Sequence, residues 1–244
     1  IGLDGAGLAV VADSFAALQQ RIEKEQWTTW EEVTTALKND FEGVYGERLR
    51  LMMQSSERYC QGGSLGDAWA KWITDTFSDI VHNQPMPKGR RFVPGWFSWS
   101  NTIILGKTVG ATPNGRKAGT PVSHGANPNP GFRKDGATTA QSTGIAMAQP
   151  GYGNSAPLQL EFDPKMSAEE GGVQRVLKLI KTHFDMGGTL ININVLDADK
   201  LLAANKNPEQ HPDLVVRVTG FTAYFVSLSP EFRQLVVDRF LEGF

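Results

Sequence analysis

The sequence predicts an α/β fold, on three observations. Through residue 83, apolar residues recur at the three- and four-residue spacing of amphipathic helices. From residue 158 onward, short runs of alternating residues take turns with helical segments. Between the two lies a stretch dense in glycine and proline, which favours turns and extended loops.

Leu8, Val11, Phe15, Leu18 and Ile22 share one face of a first helix. Thr29 and Glu32 have the spacing of a capping box for a second, carrying Trp30, Val33 and Leu37. Ser64 caps a third, with Leu65, Trp69, Trp72, Ile73 and Ile80 on one side; Trp30, Trp69 and Trp72 read as core. The aromatic and β-branched run from Arg91 to Leu105 predicts one or two strands. Residues 106 to 157 hold 10 of the 26 glycines and 6 of the 13 prolines, so they read as loop packed on a larger body.

A strand follows at Leu158 to Phe162, then a helix opening at Ser167 with Glu170 and burying Val173, Val176, Leu177, Ile180 and Phe184. In the next strand, Thr189 to Leu196, Ile191, Ile193 and Val195 face one way and Asn192 and Asn194 the other. A short helix from Ala198 to Ala204 leads to strand 214–218, and a last helix starts at Ser229-Pro230-Glu231. There is no internal repeat.

The 244 residues, with a formal net charge of -2, suffice for a sizeable core and show no basic excess, which argues against nucleic-acid binding. No apolar run reaches the ~20 residues of a membrane span. The opening Ile1-Gly2-Leu3-Asp4 lacks methionine and a basic leader, so the sequence reads as a segment of a longer protein. His82, His124, His183 and His211 fall at no metal-ligand spacing, so no metal site is expected. Cys60, the one cysteine, excludes an internal disulfide, fits a cytoplasmic location and, though near Arg58, reads as an inert thiol. The opening GLDGAG has no preceding strand to make it a dinucleotide site.

One glycine stands out. Gly220 lies between β-formers in Arg217-Val218-Thr219-Gly220-Phe221-Thr222-Ala223-Tyr224-Phe225. By itself such a glycine marks a bulge or the close approach of another segment. The whole run, however, resembles the C-terminal signature of the glycyl radical enzymes, the pyruvate formate-lyase family. TIILGKTVGATPNGRKAGTPVSHGANP, from Thr102 to Pro128, resembles the motif leading into that family's radical domain. GGTLININVLDADKLLAA, from Gly187 to Ala204, resembles the strand and helix before its radical loop, and IGLDGAGLAVVADSFAAL resembles one of its helices.

The resemblance implies the C-terminal part of a ten-stranded barrel with surrounding helices and a glycine-radical loop. It divides the chain into 1–105, barrel, and 106–244, glycine-radical domain. It implies a radical stored at Gly220 by a radical-SAM activating enzyme, with no bound cofactor, and a catalytic cysteine upstream of this segment, not Cys60. Thr219, Phe221 and Ser-Pro-Glu-Phe-Arg-Gln (229–234) are most similar to benzylsuccinate and alkylsuccinate synthases, which implies addition of a hydrocarbon such as toluene to fumarate. Phe97 and Trp99, within Pro94 to Asn101, are then candidates for the hydrocarbon pocket, whose apolar substrate is held by shape and burial. Small accessory subunits and a homodimer are implied as partners. Two alternatives remain: another glycyl radical lyase or decarboxylase, and a non-catalytic spare part that replaces a damaged radical domain.

Overall fold

The computed structural model describes residues 1–85, 89–97, 101–129, 138–149 and 155–242, and is α/β. Strand β1 (Gly2–Asp4) leads into helix α1 (Leu8–Leu18), which runs on as a π-helical turn through Lys24. Helix α2 (Trp30–Lys38) opens on the Thr29/Glu32 capping box, with both reciprocal bonds formed. Helices α3 (Gly43–Gln54) and α4 (Leu65–His82) follow, and Ser64 caps α4 through a second box with Asp67.

α1 and α4 turn a different face to the core than their large apolar residues suggest. α1 buries Leu8, Ala9, Val10, Ala12, Ala16 and Ala17, while Val11 and Phe15 are 42% and 37% exposed. α4 buries Gly66, Ala70, Thr74 and Val81; Trp72 and Ile80 are exposed, as is Trp30 on α2. Small side chains let backbones approach closely, and Gly66 shows how closely: a Cβ there would lie 2.1 Å from the Tyr59 backbone nitrogen. The bulky rings instead stack outside, Phe15 on Trp69 and Trp69 on Trp72, edge to face. Below them Asp13, Arg58 and Asp67 are buried. Asp13 accepts from Tyr59 N (2.7 Å) and Asn129 Nδ2 (2.8 Å), and Asp67 from Cys60 N (2.7 Å) and Gly62 N (2.9 Å), so the two carboxylates shape the 58–64 loop.

Among the described residues of the Arg91 to Leu105 run, expected as one or two strands, the strand is β2 (Val93–Gly95), paired in parallel with β1. Thr102–Lys107 is instead a helix, α5. Its buried residues Thr102, Ile103 and Gly106 have helical spacing, and a Cβ on Gly106 would meet the Thr120 carbonyl oxygen at 2.2 Å. That packing overrides the β-propensity of Thr-Ile-Ile. The glycine-rich stretch contains an ordered loop and a helix, α6 (Thr138–Met147).

β3 (Pro157–Phe162) is buried along its whole length and pairs in parallel with β4 (Leu190–Val195), in register from Pro157↔Leu190 to Phe162↔Val195. Between them the single expected helix is two: α7 (Lys165–Ala168) and α8 (Gly172–Asp185), divided where Glu169 turns extended (ψ 145°) and Gly171 takes a φ of 72°. The apolar stripe of α8 is half open, with Val173, Leu177 and Phe184 about half exposed. Helix α9 (Ala198–Lys206) leads to the hairpin of β5 (Val215–Arg217) and β6 (Thr222–Tyr224), and helix α10 (Pro230–Glu242) closes the described chain.

Two of the cores matter here. The first joins Leu8, Ala9, Ala12 and Trp96 to Ile145, Leu158, Leu160 and Phe162, and so draws on both sides of residue 105. The second joins Leu201, Leu214, Val216 and Val218 to Phe225, Val236, Val237 and Phe240. No described helix is long and apolar enough to cross a membrane.

In the intact protein Gly66→Ala is expected to lower the melting temperature by at least about 5 °C, because the methyl would meet backbone rather than a movable side chain. Thermal denaturation followed by circular dichroism measures it.

Candidate active site

The sheet of β3 and β4 prepares the site by burying a polar face. On β3, Leu158, Leu160 and Phe162 enter the first core, while Gln159 and Glu161 point the other way and are buried too. In register with Gln159 and Glu161 on β4 are Asn192 and Asn194, also buried. Ile193 and Val195, on the opposite face of β4, are exposed. Buried polar groups must find partners; the two asparagines find theirs on the hairpin, and Glu161 finds its own in Arg239 and Asn194.

Asn194 treats Arg217 as a strand neighbour would: its Oδ1 accepts from Arg217 N (2.6 Å) and its Nδ2 donates to Arg217 O (2.8 Å). Arg239, on α10, completes the attachment. Its Nε donates to Glu161 Oε1 (2.6 Å), Nη1 to Val218 O (2.6 Å) and Nη2 to Arg217 O (2.8 Å). Glu161 Oε1 also accepts from Asn194 Nδ2 at 3.2 Å. The Arg239–Glu161 pair is enclosed, with side chains 8% and 3% exposed. Removing either partner would strand a buried charge, at a cost of about 3–5 kcal/mol.

Gly220 sits at the tip this attachment holds. Val218 N donates to Phe221 O (3.0 Å), so Thr219 and Gly220 form the turn between paired Arg217 and Thr222. Thr219 is buried and Gly220 is exposed. Sequence reasoning did not find β6, whose three residues are too few to show a period.

Among the described residues, neither ordinary reason for a glycine holds at position 220. Its φ lies outside the left-handed region. Among the described residues, a Cβ there would meet a single atom within 4 Å, Phe97 Cζ at an ordinary 3.7 Å. Gly125 shows the contrast. With φ at 54° and a would-be Cβ 2.3 Å from Trp96 O, it crosses the backbone of residues 96–97 where no side chain fits.

Phe97 therefore has its ring against the hairpin tip, while Trp96 turns into the first core against Gly5 and Phe77. Trp99 lies outside the described residues. Cys60 is fully buried in the first core, with its thiol against the Gln141 carbonyl (3.8 Å), whereas the hairpin is built on the second. Among the described residues no group of three His, Cys, Asp or Glu side chains could hold a metal ion.

The 123–129 loop is fixed in the same manner as the hairpin. Asn127 accepts from Gln159 N (3.0 Å) and donates to Pro157 O (2.7 Å), so its amide stands in for a strand beside β3. The neighbouring His124 is fully enclosed, and burial, aided by the positive charge of Arg239, pushes its pKa down to about 3.

Residues 1–106 match the pyruvate formate lyase-like family, and residues 122–226 match the glycine radical family. The chain belongs to the glycyl radical enzymes. It is 32% identical over 243 residues to isethionate sulfite-lyase of Oleidesulfovibrio alaskensis, covering 96% of this chain and 28% of that protein. It is 28% identical over 237 residues to trans-4-hydroxy-L-proline dehydratase of Clostridioides difficile, covering 97% of this chain and 30% of the relative. Among solved structures, the C. difficile hydroxyproline dehydratase with substrate bound superposes with a TM-score of 0.89 at 27% identity, over 98% of this chain and 30% of that one. A structure from a study of 1,2-propanediol dehydration in Roseburia inulinivorans gives 0.88 at 29% identity, over 98% and 31%. The fold is thus part of the glycyl radical enzyme barrel architecture, and the chain spans under a third of the length of these relatives.

The depressed pKa of His124 has a signed consequence. Its folded value of about 3 lies below the ~6.5 of an unfolded histidine, so the neutral ring stabilises fully above pH 6.5. That contribution, of the order of a few kcal/mol, is lost progressively as pH falls from 6.5 toward 3. Urea denaturation of the intact protein between pH 7 and 4 should show the loss, and His124→Asn should flatten it. An unchanged slope would clear His124 of responsibility.

Proposed function

We propose that this chain is the radical-storing segment of a glycyl radical lyase of the dehydratase and carbon–heteroatom lyase group, with Gly220 as the storage residue. The observation that carries the assignment is that, among the described residues, neither backbone conformation nor space requires a glycine at position 220. What a glycine offers there is chemical. Loss of one Cα hydrogen leaves a radical that flattens, with no side chain to clash, and spreads over the flanking amide and carbonyl. The position of Gly220 within the matched glycine radical region supports the same reading.

An activating enzyme of the radical-SAM class would remove that hydrogen once. In each cycle the Gly220 radical would regain hydrogen from a cysteine thiol outside this segment, and the thiyl would take hydrogen from the substrate. Isethionate sulfite-lyase and hydroxyproline dehydratase are named for eliminations, so the relatives favour expulsion of a group from the carbon beside the substrate radical. None of the relatives named above is named for addition to fumarate. The expected hydrocarbon addition therefore stands as a second reading, favoured by the aromatic Phe97 ring at the hairpin tip. The match of residues 1–106 to the lyase-like family favours an enzyme over a spare part, which needs only the radical domain.

Anaerobic activation of the complete protein should give an organic-radical resonance split into a doublet by the one remaining α-hydrogen. Gly220→Ala should abolish the signal and turnover, yet leave stability unchanged or raise it by about 0.4–1 kcal/mol. A doublet that survives Gly220→Ala would refute the storage site. Offered small hydroxylated and sulfonated compounds beside toluene with fumarate, the activated protein should turn over the former. Succinate adducts would establish the second reading instead.

Phe97→Ala should spare radical formation and lower kcat/KM for the true substrate about tenfold or more, because the ring borders the tip where hydrogen is exchanged. Steady-state kinetics at matched radical content test it, and unchanged values would remove Phe97 from the pocket.

A further inference from the structure

We infer that Arg239, Glu161 and Asn194 are positioning residues that set where the Cα of Gly220 stands for hydrogen transfer. The inference rests on the storage role of Gly220 given above. Among the described residues, side-chain packing at the tip is limited to buried Thr219 and the Phe97 ring: Gly220 has no side chain, Phe221 and Thr222 are exposed, and the hairpin has three residue pairs. An isolated two-stranded hairpin is marginal in water.

What fixes the tip is its backbone. The carbonyl oxygens of residues 217 and 218, immediately before the Thr219-Gly220 turn, receive three side-chain hydrogen bonds: two from Arg239 and one from Asn194. Arg217 N is held by Asn194 Oδ1. Glu161 orients both donors by accepting from each. The Arg217 side chain adds a looser tie, from Nη2 to Asn192 Oδ1 (3.3 Å) and from Nη1 to Thr222 Oγ1 (3.2 Å) across the hairpin. The tip is thus referenced to β3, β4 and α10 through one planar cation and one amide.

Hydrogen transfer is sensitive to such placement. As the donor S–H bond breaks and the Gly220 Cα–H bond forms, one hydrogen atom moves and a thiyl remains. Misplacing a reacting atom by about 1 Å costs on the order of a hundredfold in rate. Lysine cannot replace Arg239, because a compact ammonium lacks the planar fork that serves Glu161 and two carbonyls together.

The test uses the complete enzyme, activated anaerobically, with two readouts per unit of Gly220 radical. One is turnover; the other is the rate at which solvent deuterium, entering through the exchangeable thiol, collapses the α-hydrogen doublet. Arg239→Lys should slow both by about 10- to 100-fold at undiminished radical content, and Glu161→Gln, which keeps shape and loses charge, should slow both less. Met53→Ala on α3 serves as the stability control, since Met53 is fully buried in a separate core with Val33, Phe41 and Leu49 that shares no residue with the core under the hairpin; it should lower the melting temperature and leave both rates per radical normal. Wild-type exchange in Arg239→Lys and Glu161→Gln would overturn the inference, as would equal slowing in Met53→Ala. If Arg239→Lys does not fold, Glu161→Gln decides alone. A wild-type radical that does not map to Gly220 would overturn the storage reading itself, and is recognised before any clamp variant is scored.

Discussion

The placement of the hairpin depends on a polar sheet face being kept out of water. Glu161 and Asn194 stand side by side on β3 and β4, and both are buried because α10 and the hairpin cover them. Left without partners, each would cost about 1–3 kcal/mol or more. Arg239 removes that cost and in doing so ties together two strands, a helix and the turn. Packing in the second core brings these elements near one another; the hydrogen bonds decide their register. An apolar seam between the sheet and α10 would bury area as well, yet leave the turn free to slide.

The same device appears twice. Asn127 pairs with the β3 backbone as Asn194 pairs with that of Arg217, each amide offering one donor and one acceptor at the spacing of a peptide group. Through Asn127 the 123–129 loop is fixed to the sheet, and through Gly125 that loop crosses the segment that carries Phe97. The ring and the turn therefore share a reference, the β3–β4 pair, although they lie more than a hundred residues apart in sequence.

Much of this was legible in the sequence, and the failures share a cause. The α/β class, the Thr29/Glu32 capping box, the Ser64 cap, the strands expected at 158–162 and 189–196 and the unusual glycine were all visible as local patterns. The Ser167/Glu170 box, by contrast, does not open a helix as expected: Ser167 lies within α7, and Gly171 stands at the start of α8. Periodicity also separated Asn192 and Asn194 from Ile193 and Val195, but periodicity reports parity and not which face is covered. Polar alternation ordinarily means solvent; here it means a buried binding face, and the isoleucine and valine are the exposed pair. Similarly, the large residues of α1 and α4 announced a core face that in fact consists of alanine and glycine. The run Thr102-Ile103-Ile104 is strand-forming by propensity and became a helix through a backbone contact at Gly106. Arg239 carried no sequence signal, since an arginine in a C-terminal helix is ordinarily solvated; only its three acceptors distinguish it.

The second core straddles the turn: Leu201, Leu214, Val216 and Val218 precede Gly220, and Phe225, Val236, Val237 and Phe240 follow it. Were the chain broken at Gly220 by an oxidant or a protease, this core would hold residues 221–242 in place as a non-covalent complement. The break would be silent in native electrophoresis and visible only after denaturation. Exchanging the damaged piece for an intact one would then require this core to open first, so the limiting step in repair would be local unfolding rather than encounter.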